Sequence, residues 1–194
     1  MGEKKIDSKL LDDAIRFAVE AHSGVERRGK GYPYIVHPME AMAIVATVTN
    51  DQELLAAAAL HDVVEDTKYT EEDIRKRFGD RIAGLVAAET DLVVEGKNES
   101  ESWKERKQYA IDRLKKVPYD AKLVSLGDKL SNARAMLNDY MTMGEKLWDK
   151  FHVNDPKLHM WHYMGLRDAM SDLKGTTPYQ EFCDIIDKLF SKYQ

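Results

Sequence analysis

Ala58-Ala59-Leu60-His61-Asp62-Val63-Val64-Glu65-Asp66-Thr67 closes an apolar run that begins at Leu54 and turns abruptly into His-Asp and then Glu-Asp. Four groups able to bind a cation or move a proton fall in this short stretch. The run upstream is Ala and Leu on every side, the pattern of a helix buried all round. Residues four apart share a helix face, so Glu65 is expected beneath His61 and Asp66 beneath Asp62. Carboxylates buried together force one of their number to take up a proton, unless a divalent cation neutralises them. Two readings of the stretch follow: a metal-binding helix end, or a charged helix C-terminus left in water. The helix macrodipole disfavours acids at a C-terminus, which weighs against the second.

Outward from this stretch, nearly every segment reads as helix. Residues 8–23 carry Leu11, Ala14, Ile15, Ala18 and His22 at three- and four-residue spacing, one amphipathic face. Residues 23–34 hold three glycines and a proline, a loop made basic by Arg27, Arg28 and Lys30. His37-Pro38 opens the next helix, with Pro38 suited to the first position. Asn50 with Glu53 is read as the cap of the helix containing 54–60, which is expected to end near Val64. Thr70 followed by Glu71, Glu72 and Asp73 starts another helix, and Gly79 stops it. Residues 93–101 read as a mobile loop, and Ser102 with Glu105 as a capping box for a helix ended by Pro118. Asp120 is expected to cap a long helix that Gly144 terminates. Helices follow at 145–151 and 157–173, and Thr177-Pro178 opens the last. No repeat, linker or strand-like alternation interrupts this pattern. The expectation is an all-α single domain, residues 1–194, of about eight to ten helices.

The totals narrow the function. The chain has 194 residues and 43% hydrophobic residues, enough for a core without disulfides. Cys183 is the single cysteine, so a reducing, cytoplasmic setting is expected. The polar start, MGEKKIDSKL, has no secretory signal pattern, and no apolar run is long enough to span a bilayer. A net charge of −5 argues against general nucleic-acid binding. A small anionic substrate then needs a local cationic patch or a bound metal, and the loop at 27–30 offers the patch.

Two further residues stand out. His37 precedes a helix start directly after the basic loop; it reads as a cap or core residue, or as a second imidazole ligand beside His61. Asp128 lies mid-helix between apolar flanks, with Asn132 on its face; it reads as an exposed acid salt-bridged to a neighbouring lysine, or as a further ligand.

Taken in order, His37, His61-Asp62 and Asp128 resemble the HD superfamily of metal-dependent phosphohydrolases. Tyr34-Ile35-Val36-His37-Pro38, His61-Asp62 with Glu65-Asp66, Phe78-Gly79-Asp80 and Asp128-Lys129-Leu130-Ser131-Asn132-x-Arg134 narrow the resemblance. They look like the hydrolase domain of RelA/SpoT proteins, most of all its stand-alone form, the small alarmone hydrolases. The match covers about residues 8–140, leaving a C-terminal helical extension at 145–194. The resemblance implies the helical HD fold. It implies one divalent metal, usually Mn2+, held by His37, His61, Asp62 and Asp128. Glu65 and Asp66 would orient or deprotonate the attacking water. Arg28 and Asn132 would hold the substrate. By charge alone, Lys30 and Lys129 suit a polyphosphate as well, with Arg27, Arg106 and Lys107 as further cations. The implied reaction removes the 3′-pyrophosphate of guanosine tetra- and pentaphosphate, giving GDP or GTP and pyrophosphate. The tail after residue 140 is too short for the synthetase domain of the bifunctional members, so synthesis is not expected.

Three positions depart from the family pattern. Ser125-Leu126-Gly127-Asp128 stands where Lys-Leu-Ala-Asp is common, Ser131 where His or Tyr precedes the Asn, and Thr90-Asp91 where Thr-Lys is common. These changes keep two other readings in play: a phosphohydrolase acting on another nucleotide or on NADPH, and a non-catalytic nucleotide-binding HD protein. His22 is read as a core or supporting histidine beneath the metal site. His152, His159 and His162 lie outside the matched region; His159 and His162, three apart, are read as packing or surface residues or as a metal-binding pair, and Trp148, Phe151, Trp161 and Tyr163 as closing the core or meeting a second copy of the chain.

Overall fold

The computed structural model describes residues 6–90, 92, 94 and 96–194, the side chain of Glu99 aside. Among these residues there are ten α-helices, two 3-10 stretches and no strand; an isolated bridge joins Glu26 to Pro33. The all-α fold class is therefore as read from the pattern. The chain forms two compact units, 1–90 and 91–194.

The first unit is built around α3 (Gln52–Leu60). Every residue from Leu54 to Leu60 is buried, which explains its all-round apolar composition. It packs against α1 (Lys9–Ala21), α2 (Val36–Ala46) and α6 (Asp80–Ala87). Phe17, Leu60, Ile74 and Ile82 are the large side chains sealed inside. The cap of α3 is Asp51, one residue later than expected, accepting the Glu53 N–H. Arg81 from α6 donates to both Asp51, at 2.8 Å, and Glu53, tying the start of α3 to its neighbour. The helix ends at Leu60, not near Val64. A turn at His61-Asp62 follows, then a single helical turn, α4 (Val63–Asp66). Between α4 and α6, α5 (Glu71–Phe78) starts on a Thr70–Asp73 capping box and stops at Gly79, whose φ of 90° few other residues adopt.

In the second unit, α8 (Tyr119–Met143) packs against α10 (Thr177–Phe190) and the 3-10 stretch Gly144–Lys150. Meanwhile α7 (Glu99–Leu114) meets α9 (Pro156–Ala169). The expected loop at 93–101 is shorter than read, because Asn98 and Glu101 form the capping box and α7 begins one turn earlier. Asp91, Val93 and Glu95 lie outside the described residues. Gly165 is required by the α7–α9 contact: a Cβ there would fall 2.5 Å from the Cδ1 of Ile111. In the segment 148–163, Trp148, His159, His162 and Tyr163 are buried, Phe151 and Trp161 are half-buried and His152 is exposed. Trp148 and His159 stack at 5.4 Å, and both are buried. Arg134 forms a two-pronged ion pair with Glu181 at 2.6 and 2.7 Å, joining α8 to α10.

Candidate metal centre and active site

The break at the end of α3 is what arranges the site. His61 caps α3 and is 1% exposed. Its Nδ1 lies 2.8 Å from the Ala58 carbonyl oxygen, which can only accept, so the proton sits on Nδ1. In the neutral ring, Nε2 then carries a lone pair. That lone pair faces Oδ2 of Asp62 at 2.9 Å. The second imidazole, His37 on α2, brings its own Nε2 to 3.5 Å from the same oxygen. The His37 and His61 rings meet edge to face, 5.1 Å apart. Two imidazoles and a carboxylate thus converge on one point inside the first unit.

This donor set fits a divalent cation. A nitrogen lone pair against a carboxylate oxygen at hydrogen-bond distance is repulsive unless a positive charge lies between or beside them. A backbone carbonyl holding the far nitrogen of a metal-binding histidine is the usual supporting arrangement. Imidazole with carboxylate oxygen suits Mn, Fe or Zn. The reading of His37 as a mere cap is not the one the geometry favours, since α2 opens at Val36 and His37 is buried within its first turn.

Two residues complete the surroundings. The Tyr34 hydroxyl donates to Oδ2 of Asp62 at 2.6 Å. Burial, then the Asp62 charge, hold that phenol protonated well above the ordinary tyrosine range. Asp66, although exposed as a whole residue, is pushed up from the usual carboxylate value by partial desolvation of its carboxyl and by the Asp62 charge, against the nearby Tyr34 hydroxyl. His22, 2% exposed, lies beneath the Tyr34 ring at 4.9 Å. Neither of its ring nitrogens has a hydrogen-bond partner among the described residues. Burial lowers its basicity and outweighs the pull of Asp62 and Asp66.

The remaining expected site residues are placed as follows. Glu65 is exposed on α4, and Asp66 N–H donates to the Asp62 carbonyl at 2.9 Å, so the four-residue relation survives the break in the helix. Arg28 is exposed in the basic loop and Lys30 is half-buried. In the second unit Asp128 is not an exposed acid: it is 5% exposed on α8. Its carboxylate takes hydrogen bonds from Lys129 and from Asn132 Nδ2, the latter at 2.5 Å. Arg134 is occupied with Glu181. Sequence reading gave Tyr34 no role. Its signal was present, three residues before His37 in the quoted motif, but nothing in the pattern showed that its hydroxyl meets the Asp62 carboxylate.

The chain matches the family described as "HD domain" over residues 14–148. It belongs to the HD domain family. The HD chain is also similar to proteins named guanosine-3′,5′-bis(diphosphate) 3′-pyrophosphohydrolase. It is 32% identical over 186 residues to a guanosine-3′,5′-bis(diphosphate) 3′-pyrophosphohydrolase of Haemophilus influenzae, covering 89% of this chain and 25% of that protein. It is 36% identical over 125 residues to the 3′-pyrophosphohydrolase MESH1 of Drosophila melanogaster, covering 63% of this chain and 66% of that one. A solved structure described as "A metazoan ortholog of SpoT hydrolyzes ppGpp and plays a role in starvation responses" aligns with a TM-score of 0.70 and 25% identity over 98% of both chains. The HD chain spans a quarter or less of the length of the larger curated relatives it matches. Among its described residues, no helix is long and apolar enough to cross a membrane.

Proposed function

We propose that this protein hydrolyses the 3′-pyrophosphate of guanosine tetra- and pentaphosphate, releasing GDP or GTP and pyrophosphate. The observation that carries the reading is the convergence of His37 Nε2 and His61 Nε2 on Asp62 Oδ2. The homology to 3′-pyrophosphohydrolases supports the substrate. His37, His61, Asp62 and Asp128 hold one divalent metal, Mn2+ by resemblance. Burial and fixed hydrogen bonds suit Asp128 to a ligand's role, although it sits in the second unit. Such a metal would supply charge neutralisation and make a water held at the site markedly more acidic. Glu65 and Asp66 orient that water and accept its proton. Arg28, Lys30, Lys129 and Asn132 hold the polyphosphate; arginine's planar fork suits phosphate oxygens. Phosphoryl transfer depends chiefly on such positioning.

Residues 1–194 act as one hydrolase domain in this reading, cytoplasmic, with a small anionic nucleotide as its partner. Incubating the Mn2+-loaded protein with a nucleotide panel and identifying the leaving group tests it. Pyrophosphate released from guanosine tetraphosphate is the expected result; absence of turnover overturns the proposal. A second reading, action on another nucleotide or on NADPH, draws on α8. Ser125 and Ser131, where the family often has Lys and His or Tyr, are both buried and add no charge to a substrate surface. Release of orthophosphate would favour it.

A further inference from the structure

The basic loop ahead of His37 is held by its own backbone. Arg27 N–H donates to the Tyr32 carbonyl at 2.9 Å, and Tyr34 N–H to the Val25 carbonyl at 2.8 Å. Gly31 N–H donates to the Glu26 carboxylate at 2.9 Å. The tight return between them uses Gly29 and Gly31 at φ 67° and 72°, a region that costs glycine nothing. The loop ends on Tyr34, and the Arg27 guanidinium comes back over that ring, 5.2 Å from its centroid. His22 packs on the same ring, and His37 meets it edge-on at 5.9 Å. One side chain therefore touches the loop through its ring and the Asp62 carboxylate through its hydroxyl.

We propose that Tyr34 is a positioning residue with two separable tasks. Its hydroxyl holds the Asp62 carboxylate, and with it the turn whose backbone carries Asp66, while its ring seats Arg27, fixing the loop that carries Arg28 and Lys30. The proposal rests on the hydrolase reading above and adds to it a residue that acts through others. The phenol donates its one proton to Asp62 Oδ2 at 2.6 Å, and the Asp62 carbonyl accepts the Asp66 N–H at 2.9 Å, so the hydroxyl bears on Asp66 through Asp62. Arg27 in this arrangement shapes the loop, while Arg28, beside it and exposed, is presented to the substrate.

The hydroxyl and the ring can be removed separately. In the Mn2+-loaded full chain acting on guanosine tetraphosphate, Tyr34→Phe is expected to lower kcat about tenfold or more, the scale of a lost positioning hydrogen bond to a charged group. KM and the Mn2+ affinity read by electron paramagnetic resonance stay within about threefold of the parent. Tyr34→Leu in addition raises KM about threefold, the size of an exposed cation–π contact. Arg27→Gln raises KM by the same factor in the parent and in Tyr34→Phe, but not in Tyr34→Leu. Amide exchange across residues 23–34 gives a readout independent of substrate. Tyr34→Leu and Arg27→Gln should exchange faster than the parent, and Tyr34→Phe should match it. Equal exchange in all four proteins overturns the proposal, as does an unchanged kcat in Tyr34→Phe. A parent protein without turnover sinks the hydrolase reading instead, and the exchange result still decides whether the ring of Tyr34 holds the loop.

Discussion

The Nε2 atom of His61 stands 2.9 Å from Oδ2 of Asp62 while the other ring nitrogen is committed to the Ala58 carbonyl. An adjacent pair in sequence is thus folded back so that lone pair meets carboxylate, a contact a cation relieves. Mn2+ should therefore stabilise the fold. At a free concentration a hundred times the dissociation constant the gain is about 2.7 kcal/mol, readable as a rise in Tm that a chelator reverses. A Tm indifferent to Mn2+, Fe2+ and Zn2+ alike would contradict the metal centre. In Asp62→Ala the rise should vanish.

Glu65 and Asp66 are assigned to the water and not to the metal, so their loss should separate the two. Glu65→Gln and Asp66→Asn should each lower kcat by about 10²-fold or more, the usual contribution of a general base. Both should keep the Mn2+-dependent rise in Tm. Loss of that rise in either variant would move the residue into the ligand set.

Arg28 is exposed and lies next to a ring-seated Arg27. Its removal should cost binding more than chemistry. For Arg28→Ala, an increase in KM of about tenfold, equivalent to about 1.4 kcal/mol, with kcat little changed, is the expected pattern. The deficit should shrink as salt is raised, since screening weakens the parent's own contact. Equal losses in kcat and kcat/KM would instead place Arg28 in the transition state.

Stability should fall in mild acid through the second unit. Burial, then the charges of Lys107 and Lys129, hold His162 well below the ordinary value of 6.5. Burial likewise lowers His159, against its hydrogen bond to the Val153 carbonyl. A depressed histidine stays neutral in the fold while the unfolded chain takes up a proton below its ordinary value. The contribution is therefore intact above pH 6.5 and lost as pH falls toward the folded value. Each such group removes up to about 1.4 kcal/mol per pH unit in that window. Urea midpoints at pH 7.5 and 5.5 measure the loss, and His162→Phe should show a shallower fall than the parent.

Gly165 allows α9 to approach α7, and Ile111 is 3% exposed against it. Gly165→Ala puts a methyl into a filled space. Helix propensity favours the alanine by about 1 kcal/mol, whereas overpacking costs about 1–3 kcal/mol. The net expectation is destabilisation, seen as a lower urea midpoint. The double variant Gly165→Ala, Ile111→Val should recover part of it. A midpoint raised by Gly165→Ala alone would show that Ile111 moves aside freely.

Much of this protein could be read from residue order. Helix periodicity, glycine stops such as Gly79 and Gly144, and the all-round apolar run at 54–60 are local signals, because each is satisfied within one or two turns of chain. The four candidate ligands His37, His61, Asp62 and Asp128 stood out for a different reason: each alone admits a cap, core or surface role, and only their order along the chain resembles the HD pattern. Sequence alone did not reveal the break after Leu60, since His61-Asp62 continues a helical pattern with no glycine or proline to mark a stop. Only tertiary packing turns His61 so that Ala58 takes one nitrogen and the other faces Asp62. Residue type alone does not distinguish Arg27 from Arg28, which are chemically alike and adjacent; in the sequence only the family motif singles out Arg28. The fold separates them, because the backbone bonds of the loop return one guanidinium to the ring of Tyr34 and leave the other exposed. Tyr34 itself is the clearest case. Its hydroxyl acquires a role from a carboxylate 28 residues away, and a contact across that separation exists only once α2 and α3 have packed.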